Sequence, residues 1–121
     1  MLEHKHLIIR AEVLNAPKDI DYMNNWFHEL IKEIDMKILM GPYLVYLDKE
    51  GNRGFTGAAI IETSHIVMHT WDEYSPSIIQ LDVYSCKDFD KQIVLDKLKE
   101  FDISVVEYKL LDRENNLNIL I

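Results

Sequence analysis

The hydrophobic spacing of Asp19–Asp35 narrows the choice of folds more than any other stretch of this chain. Met23, Trp26, Phe27, Leu30, Ile31 and Ile34 recur at the i, i+3, i+4, i+7 spacing of one helix face. Asp19 or Asp21 stands where a helix cap belongs. A second helix is expected from Asp88 or Asp90 to about Phe101, with Val94, Leu98 and Phe101 on one side. The remaining ordered stretches read as strands. Leu7, Ile9, Ala11 and Val13 alternate with Ile8, Arg10 and Glu12. Lys37–Asp48 is apolar and aromatic, broken or bulged at Gly41-Pro42, and Lys49–Gly54 is a turn. Phe55–Thr63 and His65–Trp71 are expected as consecutive strands joined at Thr63-Ser64. Ser77–Cys86 and Ile103–Leu111 complete the set, and Asn115–Ile121 is expected as a short tail or edge strand.

Strand, helix, several strands, helix, strand is the order of an α+β two-layer sandwich. The expectation is an antiparallel sheet with two helices packed on one face, forming a single domain over residues 1–121. Ile60, Ile61, Ile66, Val67, Ile78 and Ile79 occupy both parities of the central strands. The second sheet face is therefore partly apolar, as in a subunit interface or a thicker monomeric core.

Thirteen basic residues against 21 acidic ones leave a net charge of −8, which argues against nucleic-acid binding through a basic face. The same charge suits a cationic small molecule, and solubility accounts for it equally well. No run approaches the ~20 apolar residues of a membrane helix. Leu7–Ile9 is too brief an apolar run for a signal peptide. One cysteine cannot close an intrachain disulfide, so a cytoplasmic location is expected.

His65 and His69 have the H-x-x-x-H spacing that sets two metal ligands on one side of a helix. The β-branched Ile66 and Val67 between them favour a strand instead. Four strand residues span ~13 Å, too far for one ion, and no metal is expected. His4 and His6 read as solvated residues near the N-terminus. Cys86 taken alone reads as a small buried hydrophobe, and Ser64 as a serine in a turn. The chain has neither a G-x-S-x-G elbow nor a glycine-rich phosphate loop, which excludes α/β-hydrolase and P-loop chemistry.

Joint occurrence changes the reading. Thr56-Gly57 and the apolar Ala58–Ile61 precede Ser64-His65. Ile66–Met68, then His69-Thr70-Trp71 and Glu73 follow, and Asp82 and Ser85-Cys86 stand downstream, offset around Ser75-Pro76. His6-Leu7-Ile8 and Val105-Val106-Glu107 add looser matches. This pattern resembles the prokaryotic S-adenosylmethionine decarboxylases, a family of pyruvoyl-dependent proenzymes. The likeness covers most of the chain and is sharpest over Thr56–Cys86.

The resemblance implies self-cleavage between Thr63 and Ser64. The Ser64 hydroxyl would attack the Thr63 carbonyl, with Thr56 or His69 assisting, and β-elimination would leave a pyruvoyl group derived from Ser64. That group would form a Schiff base with the substrate amine and take up the electrons left by departing CO₂. Cys86 would return the proton, while Glu73 and Tyr46 would bind the substrate. The implied substrate is S-adenosylmethionine, the product an aminopropyl donor for polyamine synthesis, and the assembly a homodimer of cleaved protomers. Two departures stand out. Thr63 occupies the position of a glutamate, and Asp48-Lys49-Glu50 stands where the family places an aromatic residue. Aligning Glu62 with that glutamate would make Thr63 the attacking residue. The same chemistry on arginine or ornithine, a non-processing paralogue with a binding or regulatory role, and a lyase working without a pyruvoyl group are the alternatives.

Overall fold

β1 (Lys5–Val13), α1 (Ile20–Glu33), β2 (Ile38–Leu47), β3 (Gly54–Ile61), β4 (Ser64–Trp71), β5 (Ser77–Ser85), α2 (Lys91–Leu98) and β6 (Ile103–Asp112) follow one another in the computed structural model, which describes residues 3–121. The strands form one antiparallel sheet in the order β2-β3-β4-β5-β1-β6. The α+β architecture is the expected one.

Each helix starts on an aspartate. The Asp19 carboxylate accepts from the Asp21 and Tyr22 N–H groups at 2.8 and 3.2 Å, and Asp90 accepts from Gln92 N–H at 2.9 Å. These bonds satisfy donors that a helix start leaves open. α2 is shorter than its spacing suggests, because Lys99–Phe101 tightens into a 3₁₀ turn and Asp102 follows at φ 56°. The left-handed residue redirects the chain into β6.

One parity of every central strand is buried against the helices. Leu7, Ile9, Ala11 and Val13 of β1, Ile66 and Met68 of β4, and Ile79, Leu81 and Val83 of β5 join Met23, Trp26, Phe27 and Leu30 in one core. The Trp26 indole N–H donates to the Lys97 carbonyl at 3.2 Å and ties the helices together. The opposite parity forms a helix-free face on which Ile8, Tyr43, Val45, Ile60 and Val105 are exposed. C-terminal to β6, the chain makes a single bridge, Leu111 to Ile119, rather than a full edge strand.

Gly54, at the start of β3, shows how tightly the β3–β4 pair closes. Its φ is +155°, and a Cβ there would lie 1.8 Å from the Thr70 carbonyl oxygen. Nothing flexible separates the two backbones. Gly54→Ala is expected to cost about 3 kcal/mol or more, read as a lower urea midpoint at unchanged slope.

Candidate active site

Two clusters of the residues singled out above lie at opposite ends of β4. The first surrounds the turn between β3 and β4. Ser64 opens β4 at φ 152°, a region that side-chain-bearing residues rarely adopt. Holding it there costs roughly 1–3 kcal/mol, which the surrounding pairing must overcome. Ser64 faces Ile61 on one side and Ser85 on the other, so strands on both flanks fix its backbone. The Cys86 N–H donates to the Thr63 carbonyl at 2.9 Å. That bond polarises the carbonyl preceding Ser64, and the partly buried Cys86 thiol lies on the next stretch of chain. Buried Met36 sits beneath this turn. Its Sδ accepts from the Thr63 hydroxyl at 2.7 Å and the Ser85 hydroxyl at 3.4 Å.

The second cluster stands at the far end of β4. Register sets Thr56 opposite His69, and Thr56 Oγ1 lies 3.0 Å from His69 Nδ1. The His69 ring leans against Trp71, with centroids 6.0 Å apart, and the Trp71 indole donates to Asn52 at 2.9 Å. Beyond the strand, Glu73 is only 15% exposed at its side chain and pairs with Arg53 at 2.7 Å. It also accepts from the Gly51 N–H at 2.8 Å, so the KEGNRG turn anchors this carboxylate. The Tyr46 hydroxyl donates to Asp72 at 2.9 Å. Burial, then that bond to a carboxylate, push the phenol above its ordinary pKa.

Ser64 and His69 are therefore about 16 Å apart along one strand, at ~3.3 Å per residue. Within one chain, His69 and Thr56 do not reach the Thr63 carbonyl. The strand arithmetic that separates His65 from His69 separates this pair too, so the signal was present in the sequence.

A third grouping was missed. His6 is not a solvated terminal residue. It lies within β1, its side chain is 16% exposed, and its Nε2 is hydrogen-bonded to Asp82 of β5. His65 Nε2 approaches the same Asp82 oxygen at 3.5 Å. His4 is held as well, with Nδ1 2.8 Å from the Tyr84 hydroxyl. His6 and His65 both fall opposite Tyr84 in the sheet register, which short-range sequence patterns do not specify.

A family model described as S-adenosylmethionine decarboxylase matches residues 5–114. An S-adenosylmethionine decarboxylase proenzyme of Clostridium botulinum strain Langeland is 33% identical over 98 residues, 78% of this chain and 79% of that protein. A proenzyme of the same name from Archaeoglobus fulgidus is 25% identical over 104 residues, 82% and 89% of the two chains. The crystal structure of the adenosylmethionine decarboxylase from Aquifex aeolicus VF5 superposes with a TM-score of 0.72 at 20% identity, covering 93% of this chain and 91% of that one.

Proposed function

Because the chain belongs to the S-adenosylmethionine decarboxylase family, we propose that it is a self-processing decarboxylase of S-adenosylmethionine whose active site is shared between two copies. The observation that carries this reading is the Thr63–Ser64 junction. A serine strained at φ 152° follows a carbonyl that already accepts a backbone N–H at 2.9 Å. Both features favour attack by the Ser64 hydroxyl on that carbonyl. Strain is relieved once the peptide bond breaks, and the Cys86 N–H stabilises the negative oxygen that forms.

The step balances as follows. Ser64 Oγ bonds to the Thr63 carbonyl carbon, the C–N bond breaks, and the nitrogen takes up a proton. Loss of the Ser64 α-proton then expels the Thr63 carboxylate. Water replaces the amine at the former Ser64 α-carbon and ammonia leaves, so residues 64–121 begin with a pyruvoyl group. Once formed, that ketone supplies an electron sink for decarboxylation of a bound amino acid. The residues around Ser64 fit this origin, since the cofactor is made from the strained serine itself.

Placement supports the remaining roles. Thr56 and His69, paired at 3.0 Å, reach a Ser64 only when it belongs to a second copy. An isologous pairing through the helix-free faces, with the two β4 strands opposed, lays one chain's Ser64 end over the other's His69 end. The exposed Ile8, Tyr43, Val45, Ile60 and Val105 supply apolar area for that contact. Glu73, anchored by Arg53 and Gly51, offers its remaining acceptor capacity to ribose hydroxyls or a sulfonium. Tyr46 stands beside it as a second substrate contact. The Cys86 thiol is assigned to reprotonation.

Denaturing intact mass tests this reading. Two fragments, 1–63 and a ketone-bearing 64–121, are expected. A single uncut chain after prolonged incubation would overturn it in favour of a non-processing paralogue, and CO₂ release from arginine or ornithine alone would overturn the substrate. Cys86→Ala keeps the backbone N–H and loses only the thiol. Cleavage should therefore persist while correctly protonated product falls about 100-fold. Normal product yield from Cys86→Ala would remove the thiol from its role.

A further inference from the structure

We propose that His6, His65 and Asp82 form a binding site for a borderline divalent metal ion, zinc being the best match. The three residues lie on neighbouring strands, β1, β4 and β5, and their donor atoms all fall within 4.8 Å of one another. Spacing along one strand separates His65 from His69. Here the ligands converge across strands, and that objection does not apply.

The geometry is close to a coordination shell. His65 Nε2 and Asp82 Oδ1 are 3.5 Å apart. Two ligands of a tetrahedral ion with bonds near 2.1 Å are separated by about 3.4 Å. His6 Nε2 hydrogen-bonds to that same carboxylate oxygen. A metal ion would take the place of the shared proton, with a small outward turn of the imidazole. Two neutral imidazoles and one carboxylate are the donors that borderline cations select.

The cluster is built on rigid parts. His6 and His65 flank Tyr84 in register, and the tyrosine ring packs against both, with centroids 5.7 and 5.6 Å away. Tyr84 is itself held by His4 Nδ1 at 2.8 Å and by the Arg113 guanidinium stacked 3.9 Å from its centroid. Side-chain exposures of 16% for His6, 34% for His65 and 42% for Asp82 leave one side open to the helix-free face. Three protein ligands leave a fourth position for water or for a group of a second copy laid on this face, unlike a closed structural centre.

The test uses the uncleavable Ser64→Ala chain, so failure of the self-cleavage reading leaves it decisive. Chelator-stripped protein is dialysed against zinc, and bound metal is counted by mass spectrometry. One zinc per chain is expected, with a higher thermal midpoint. His6→Gln, His65→Gln and Asp82→Asn should each weaken binding by more than about 100-fold, the upper range for losing a mere outer-shell partner. His28→Ala, on the exposed face of α1, should bind like the parent. Cobalt(II) in the unsubstituted site gives a readout that no folding defect can mimic. A visible spectrum of nitrogen and oxygen ligands supports the site, and a thiolate charge-transfer band would assign the metal to Cys86 and overturn it. No retained zinc in the parent, or equal uptake by all three variants, would also overturn it.

Discussion

Replacing Ser64 with alanine is expected to leave the chain whole and to abolish decarboxylation. The loss should be complete because, in the proposed mechanism, one residue serves both steps: its hydroxyl attacks the Thr63 carbonyl, and its carbon atoms become the pyruvoyl group. The neighbouring hydroxyls are engaged elsewhere. The Thr63 hydroxyl is engaged with the Met36 sulfur at 2.7 Å, and the Ser85 hydroxyl points to the same sulfur at 3.4 Å. The substitution should also leave the fold intact, since Ser64 is only partly buried and its strand pairing is backbone-borne. Denaturing mass and release of labelled CO₂ read the two effects separately. Cleavage in Ser64→Ala would remove Ser64 from its role. A cut between Glu62 and Thr63 would transfer that role to the Thr63 hydroxyl. Full decarboxylation by an uncut chain would sink the pyruvoyl reading and favour a lyase working without it.

One inactive variant should rescue another in a mixed dimer. On the proposed reading, Ser64→Ala keeps His69 but has no nucleophile, and His69→Ala keeps the nucleophile but has lost its proton carrier. Neither should be cut when produced alone. Produced together in equal amounts, they pair at random, and a His69→Ala chain meets a Ser64→Ala partner in about half of its dimers. Its Ser64 then faces an intact His69. About half of the His69→Ala chains should be cut, and none of the Ser64→Ala chains. The prediction rests on the ~16 Å between Ser64 and His69 in one protomer, beyond the reach of any hydrogen bond. Efficient cleavage of His69→Ala alone would remove the histidine from processing. Failure of the mixture to cleave, with mixed dimers demonstrated by mass, would place the whole site within one chain.

Much of the fold was legible because its signals are local. The spacing of Met23, Trp26, Phe27, Leu30 and Ile31 marked α1, and these are the residues it buries. Residue type and position narrow the cap to Asp19 or Asp21, of which Asp19 serves, and Gly41-Pro42 marks the irregular stretch of β2, where the register with β3 shifts. The second helix was overextended, because Lys99–Phe101 keeps the apolar spacing while its hydrogen bonding tightens to a 3₁₀ turn. At the candidate site, the motif marked Thr56, Ser64, His69, Glu73 and Cys86 by resemblance. It did not show that they divide into two groups, nor that Glu73 is already paired with Arg53 at 2.7 Å.

By itself the sequence determined which segments are helix and which are strand, and which faces are apolar. Those properties depend on backbone preference and on side-chain spacing within a few residues. Only the tertiary structure decided what meets across the sheet. His6 and Asp82 are 76 residues apart in sequence, yet share a hydrogen bond because β1 pairs with β5 in one particular register. The Cys86 N–H reaches the Thr63 carbonyl for the same reason, since β4 and β5 run antiparallel with Ser64 opposite Ser85. A shift of one residue would turn every side chain of a strand to the other face, so register is held by burial over the whole sheet. No short stretch of sequence contains that information.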